Sequence, residues 1–216
     1  MNKRFKKRYK EQRRNLVLEH IKENFNIYFI VLVLFLVGIF IGVIITNNLS
    51  ENKSQYTKEY IDNTINLIKT GNKISRKQSL KHSVFKNFII AITIWVLGLT
   101  FLGKYLLYLI TLILGITFGY TISSIMSVFD FGKGLLFCFS TMLLHNIITI
   151  PTIIFLCMQG IKCHNELTKT KNNFNMKYFF IKFSSYTIVS MLLLLLSSVI
   201  EVYVSDSIVY GVIKYL

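Results

Sequence analysis

Between Ile27 and Thr46 the chain reads IYFIVLVLFLVGIFIGVIIT, with no charged side chain anywhere in the run. At about 1.5 Å of rise per residue, a helix of that length spans about 30 Å, the hydrocarbon thickness of a bilayer. A helix apolar on every face is buried in a large core or crosses a membrane, and 216 residues are too few for such a core. Further apolar runs follow at 84–103, 105–129, 135–158 and 183–204. The second run reaches spanning length only if Val84 and Phe85 join it and Lys86 snorkels to the interface. Lys104 alone separates it from the third, which predicts a tight hairpin. The expected fold is all-α, a polytopic membrane protein with five transmembrane helices.

Charge sets the expected orientation. The chain holds 25 Lys plus Arg against 10 Asp plus Glu, a formal net charge of +15. Nine of the basic residues, from Lys3 to Lys22, precede the first span, as in a start-transfer helix that keeps its N-terminus in the cytoplasm. A cleaved signal peptide fits less well, because the apolar run is long and no A-x-A-like site follows it. With the N-terminus inside and five spans, 15 basic residues fall on the cytoplasmic side and 10 on the other, and the C-terminal tail 205–216 is extracytoplasmic. The segregated charge argues against a soluble nucleic-acid binder. In the first 26 residues, Phe5, Tyr9, Leu16, Ile21 and Phe25 among the basic residues predict a helix lying on anionic lipid.

The connection 47–83 is basic although it falls outside. Within it, Tyr60, Ile61, Thr64, Ile65, Leu67 and Ile68 recur at helical spacing and end at Gly71, predicting an amphipathic helix over 56–70. Its apolar face, with Lys69, Lys73, Arg76 and Lys77, is a candidate partner-docking loop; packing on the span ends is the alternative. The segment 159–182 is expected as a cytoplasmic loop.

Few ionisable residues enter the spans: His145, Glu201 near the end of the fifth, and Lys86 and Lys182 at interfaces. In the fourth span Thr141, His145, Thr149 and Thr152 share a face, Asn146 adjoins His145, and Pro151 leaves the carbonyl of Ile147 without its usual donor. Those residues could form a hydrophilic pocket or path, or could hydrogen-bond across helices to fix register at a kink. Thr111, Gly115, Gly119, Ser123 and Ser127 repeat every four residues in the third span, and Gly38 and Gly42 do so in the first. Such ridges let helix backbones approach closely, within one chain or between chains.

Chemistry is sparse. Cys138, Cys157 and Cys163 make no disulfide framework, and Cys163-His164 beside Cys157 is not a zinc spacing. Walker A, G-x-S-x-G and H-E-x-x-H motifs are missing, as are paired carboxylates for glycoside cleavage. The expectation is a non-enzymatic protein with no catalytic residue, metal or cofactor.

The order of features resembles the stage II sporulation protein M family of endospore-forming bacteria. The resembling stretches are HIKENFNIYF entering the first span and GIFIGVIITNNL at its exit, FKNFIIAITIWVLGLTFLG in the second, ILGITFGYTISSI in the third and GLLFCFSTMLLHNIITIPTIIF in the fourth. Leu144-His145-Asn146 stands where the family tends to have Pro-Gln before the Asn, and Leu114-Gly115 where Lys-Gly is common. The resemblance implies a mother-cell membrane scaffold needed for engulfment. In that family the scaffold holds peptidoglycan hydrolases, namely the amidase-endopeptidase stage II sporulation protein P and the lytic transglycosylase stage II sporulation protein D. From the residues alone, a small channel or transporter subunit with a polar path along the fourth span is the rival.

Overall fold

The computed structural model describes residues 22, 24–48, 55–56, 59, 63, 76–129, 131–139, 142, 144–169 and 176–205. Among them there are helices and no strand: α1 (Phe25–Asn47), α2 (Arg76–Gly98), α3 (Gly103–Val128), α4 (Phe131–Cys138), α5 (Leu144–Lys169) and α6 (Met176–Ile200), which runs into a π-helical turn, Glu201–Ser205. Five are long and apolar enough to cross a membrane: α1, α2, α3, α5 and α6. The expected surface helix of the first residues lies outside the described residues, as do Ile61, Ile65, Ile68, Lys69 and Lys73, Thr141 and the C-terminal tail. Arg76 and Lys77 open α2, both exposed.

The helix limits differ from the hydropathy limits for identifiable reasons. Helix α2 starts well before the apolar run and ends at Gly98, not at residue 103. A tight turn then closes the hairpin, with Thr100 N donating to Leu97 O and Gly103 N to Thr100 O. A Cβ on Gly103 would lie 1.9 Å from Leu97 O, so the turn requires glycine. The expected fourth span, 135–158, is divided into the short α4 and the long α5. Pro151 sits inside α5 without ending it. The expected loop 159–182 is mostly helix, because α5 continues to Lys169 and α6 begins at Met176. Polar residues at 159–169 look like loop residues to a hydropathy reading. Gln159 and His164 are nevertheless buried against other helices.

Helix α5 is the centre of the bundle: 56% of its membrane-length window is buried, against 17% for α1. Ile94 of α2, Leu107 of α3, Leu156, Cys157 and Ile161 of α5, and Leu194 of α6 are fully enclosed. Lipid is as apolar as leucine, so close contact and hydrogen bonds, not water exclusion, hold such a bundle together. The outer surface is correspondingly apolar, with Phe29, Phe40, Ile147, Ile188 and Leu192 exposed.

Helix α1 packs chiefly on α3, glycine to glycine. A Cβ on Gly38 would lie 2.4 Å from Leu112 O, one on Gly42 2.2 Å from Ile116 O, and one on Gly119 2.2 Å from Ile39 O. The two ridges therefore interlock within one chain. Helix α4 folds back on the end of α3, where Phe137 meets Phe129 with ring centroids 5.2 Å apart.

Candidate functional site

Helices α2, α5 and α6 are joined by polar side chains that the uncharged runs conceal. Ser83 Oγ donates to Glu201 Oε2. Asn87 Nδ2 donates to Ser198 Oγ at 2.8 Å and Trp95 Nε1 to Ser184 Oγ at 3.2 Å, making a ladder between α2 and α6. On the α5 side, Ser197 Oγ donates to His145 O at 2.9 Å and shares a hydrogen with Thr149 Oγ1. Asn87, Ser83, Thr149, Ser197 and Ser198 are all buried. Unpaired polar groups in hydrocarbon are costly, so each bond fixes helix register as well as adding attraction.

Where this ladder ends, the bundle opens into a cavity of about 390 Å³ between α2, α3, α5 and the π turn. Lys86, His145 and Glu201, three of the four ionisable residues noted within or at the edges of the spans, converge on it from three helices, with Asn87, Asn146 and Thr149 between them. His145 lies within electrostatic reach of both Lys86 and Glu201. Its Nδ1 is buried and has no hydrogen-bond partner among the described residues. Among the described residues no ion pair joins Lys86 to Glu201, although they line the same space. The rest of the lining is mainly apolar, with Phe35 from α1, Leu114 and Phe118 from α3 and Ile153 and Ile154 from α5, and Thr111, Thr117 and Thr121 of α3 among them.

Beyond those walls the bundle is filled. Gly98 and Gly160 bring α2 and α5 together against the Phe183 ring: a Cβ on Gly98 would lie 3.0 Å from Gly160 Cα and 2.8 Å from that ring. Leu107, Leu156 and Ile161 are fully buried at this end, and the His164 ring nitrogen Nδ1 bonds Thr100 O in the α2–α3 turn at 3.0 Å.

A family model described as Stage II sporulation protein M matches residues 31–206. The chain belongs to this family. The family match takes in most of α1, every other span and the whole lining of the cavity. Membership makes the chain a sporulation-related, multi-pass membrane protein of the stage II sporulation protein M family. Neither the curated proteins nor the solved structures give a match.

The residues singled out from the sequence fall into three places. Gly38, Gly42, Gly115 and Gly119 form the α1–α3 contact, Thr111 is buried below it with its hydroxyl bonded to Leu107 O, and Ser123 is half-buried beyond it. His145, Asn146 and Thr149 line the cavity, while Pro151 is exposed on the opposite side of α5. The basic positions Arg76 and Lys77 stand more than two turns before Lys86 on α2. Sequence reasoning passed over Ser83, Asn87, Ser197, Ser198, Gly98 and Gly160, and weighed His164 only as a zinc ligand. An asparagine inside an apolar run was the available signal for the first pair of bonds.

The arrangement can hydrogen-bond and attract ions. Among the described residues no group of three or more His, Cys, Asp or Glu side chains is placed to hold a metal ion. Thr149 and Ser197 bond each other and a backbone carbonyl.

Proposed function

We propose that this protein is a non-enzymatic membrane scaffold that recruits and holds peptidoglycan hydrolases at the septal membrane during engulfment. On this reading it sits in the mother-cell membrane, and its partners are the amidase-endopeptidase stage II sporulation protein P and the lytic transglycosylase stage II sporulation protein D. The family match over residues 31–206 carries the reading. Two features support it. The bundle is knitted internally by glycine contacts and a polar ladder, as a rigid platform requires. Leu107, Leu156 and Ile161, fully buried in close packing further along the bundle, count against a small channel or transporter path along α5 within one chain.

Deletion in the native endospore former tests the proposal, with microscopy of septal wall thinning and co-purification of membrane partners. Stalled engulfment, with the hydrolases dispersed from the septum, is the expected result. Normal engulfment in the deletion strain overturns the role. Normal sporulation of a His145→Ala strain supports the scaffold, and loss of a measured solute flux in that strain supports transport instead.

A further inference from the structure

Lys86 and Glu201 stand at one cavity, oppositely charged and not paired with each other among the described residues. Glu201 takes a hydrogen bond from Ser83, and Lys86 is exposed at the cavity's rim. His145 stands between these two charges, and its buried Nδ1 has no hydrogen-bond partner among the described residues, so the polar part of the cavity is not satisfied from within. The rest of the lining is mainly apolar, with Phe35, Leu114, Phe118, Ile153 and Ile154 beside the hydroxyls of Thr111, Thr117 and Thr121, and suits a hydrocarbon chain.

We infer that this cavity binds a zwitterionic phospholipid bearing a primary amine, its phosphate at Lys86 and Asn146, its ammonium at Glu201, and part of an acyl chain against the apolar walls. The charges select this class. An anionic headgroup would satisfy Lys86 and set a second negative charge beside Glu201. A lysine from a partner helix would satisfy Glu201 and leave Lys86 unmatched. Water alone would satisfy the polar end and wet the phenylalanine and isoleucine walls. A headgroup with both charges matches both residues, and a primary ammonium can donate hydrogen bonds to a carboxylate where a quaternary one cannot. Lys86 follows directly on the apolar pair Val84 and Phe85, the depth at which headgroups lie.

The test uses the full chain, extracted in mild detergent and exchanged against vesicles holding equal amounts of phosphatidylethanolamine, phosphatidylglycerol and phosphatidylcholine with identical acyl chains. Native mass spectrometry then counts the lipid that stays bound. One phosphatidylethanolamine per chain is expected, in preference to the other two. Glu201→Gln, which can still accept from Ser83, should reduce that preference about tenfold, equivalent to about 1.4 kcal/mol. Ile153→Trp, which fills the cavity, should abolish retention. Ile147→Trp, on the exposed face of α5, should leave it unchanged. Equal retention of the three lipids, retention of none, or retention indifferent to Glu201→Gln and Ile153→Trp overturns the inference. No hydrolase enters the measurement, so its outcome is separate from that of the scaffold reading.

Discussion

Gly38 and Gly115 meet backbone to backbone: a Cβ on Gly38 would lie 2.9 Å from the Cα of Gly115, and one on Gly115 3.0 Å from the Cα of Gly38. One helical turn further on, a Cβ on Gly42 would lie 3.1 Å from the carbonyl carbon of Gly119, and one on Gly119 2.2 Å from Ile39 O. Side chains cannot be accommodated there by rotamer changes, because the obstructing atoms are main chain. Gly119→Val should therefore separate α1 from α3 and destabilise the protein by about 1–3 kcal/mol, the usual cost of overpacking. The same change at Gly132, which has nothing within 4 Å of a built Cβ, should be neutral. Thermal unfolding midpoints in detergent compare the two; equal midpoints would sink the prediction.

The Asn87–Ser198 bond is best read by a double-mutant cycle. Asn87→Ala, Ser198→Ala and the double variant should give a coupling of about 0.6 kcal/mol, and no more than about 1.7 kcal/mol, as found for hydrogen bonds between membrane helices. A coupling near zero would mean that both partners bond elsewhere once separated.

His164 secures the α2–α3 turn through its bond to Thr100 O. His164→Ala leaves that carbonyl without this partner and should cost about 1–3 kcal/mol. Hydrogen exchange checks it locally: the amides of Thr100 and Gly103 should lose protection before those of α6.

The orientation expected from the distribution of basic residues is checked by reporter fusions at Ser54, at Lys169 and after Leu216. The first and last should report from outside and the second from the cytoplasm. An external signal at Lys169 reverses the arrangement.

Much of the fold was legible because a bilayer constrains sequence so strongly. The run from Ile27 to Thr46 could hardly be anything but a span, and its structural counterpart, Phe25–Asn47, is longer by only a few residues. The α5 limits were not legible, because Gln159, Lys162, His164 and Glu166 read as a loop to any hydropathy window. Whether a polar residue faces water or a neighbouring carbonyl depends on the other helices, and His164 is resolved only by the position of Thr100. The convergence of Lys86, His145 and Glu201 was hidden for the same reason. Each looked isolated along the chain, and the last lies more than a hundred residues from the first. The glycine ridges were visible as spacing, but which ridge meets which is a three-dimensional fact.

The filled end of the bundle carries an electrical consequence. A transmembrane potential falls across whatever excludes water and ions, at about 2.3 kcal/mol per elementary charge for each 100 mV. The tightly packed layer around Leu156, Ile161 and Phe183 should act as that insulator, so that little of the voltage is expected to reach Lys86 and Glu201. Vesicles reconstituted with the protein should accordingly hold a potassium gradient as well as protein-free ones do, and a leak would show the layer to be permeable. A membrane can carry many copies of such a chain and stay energised.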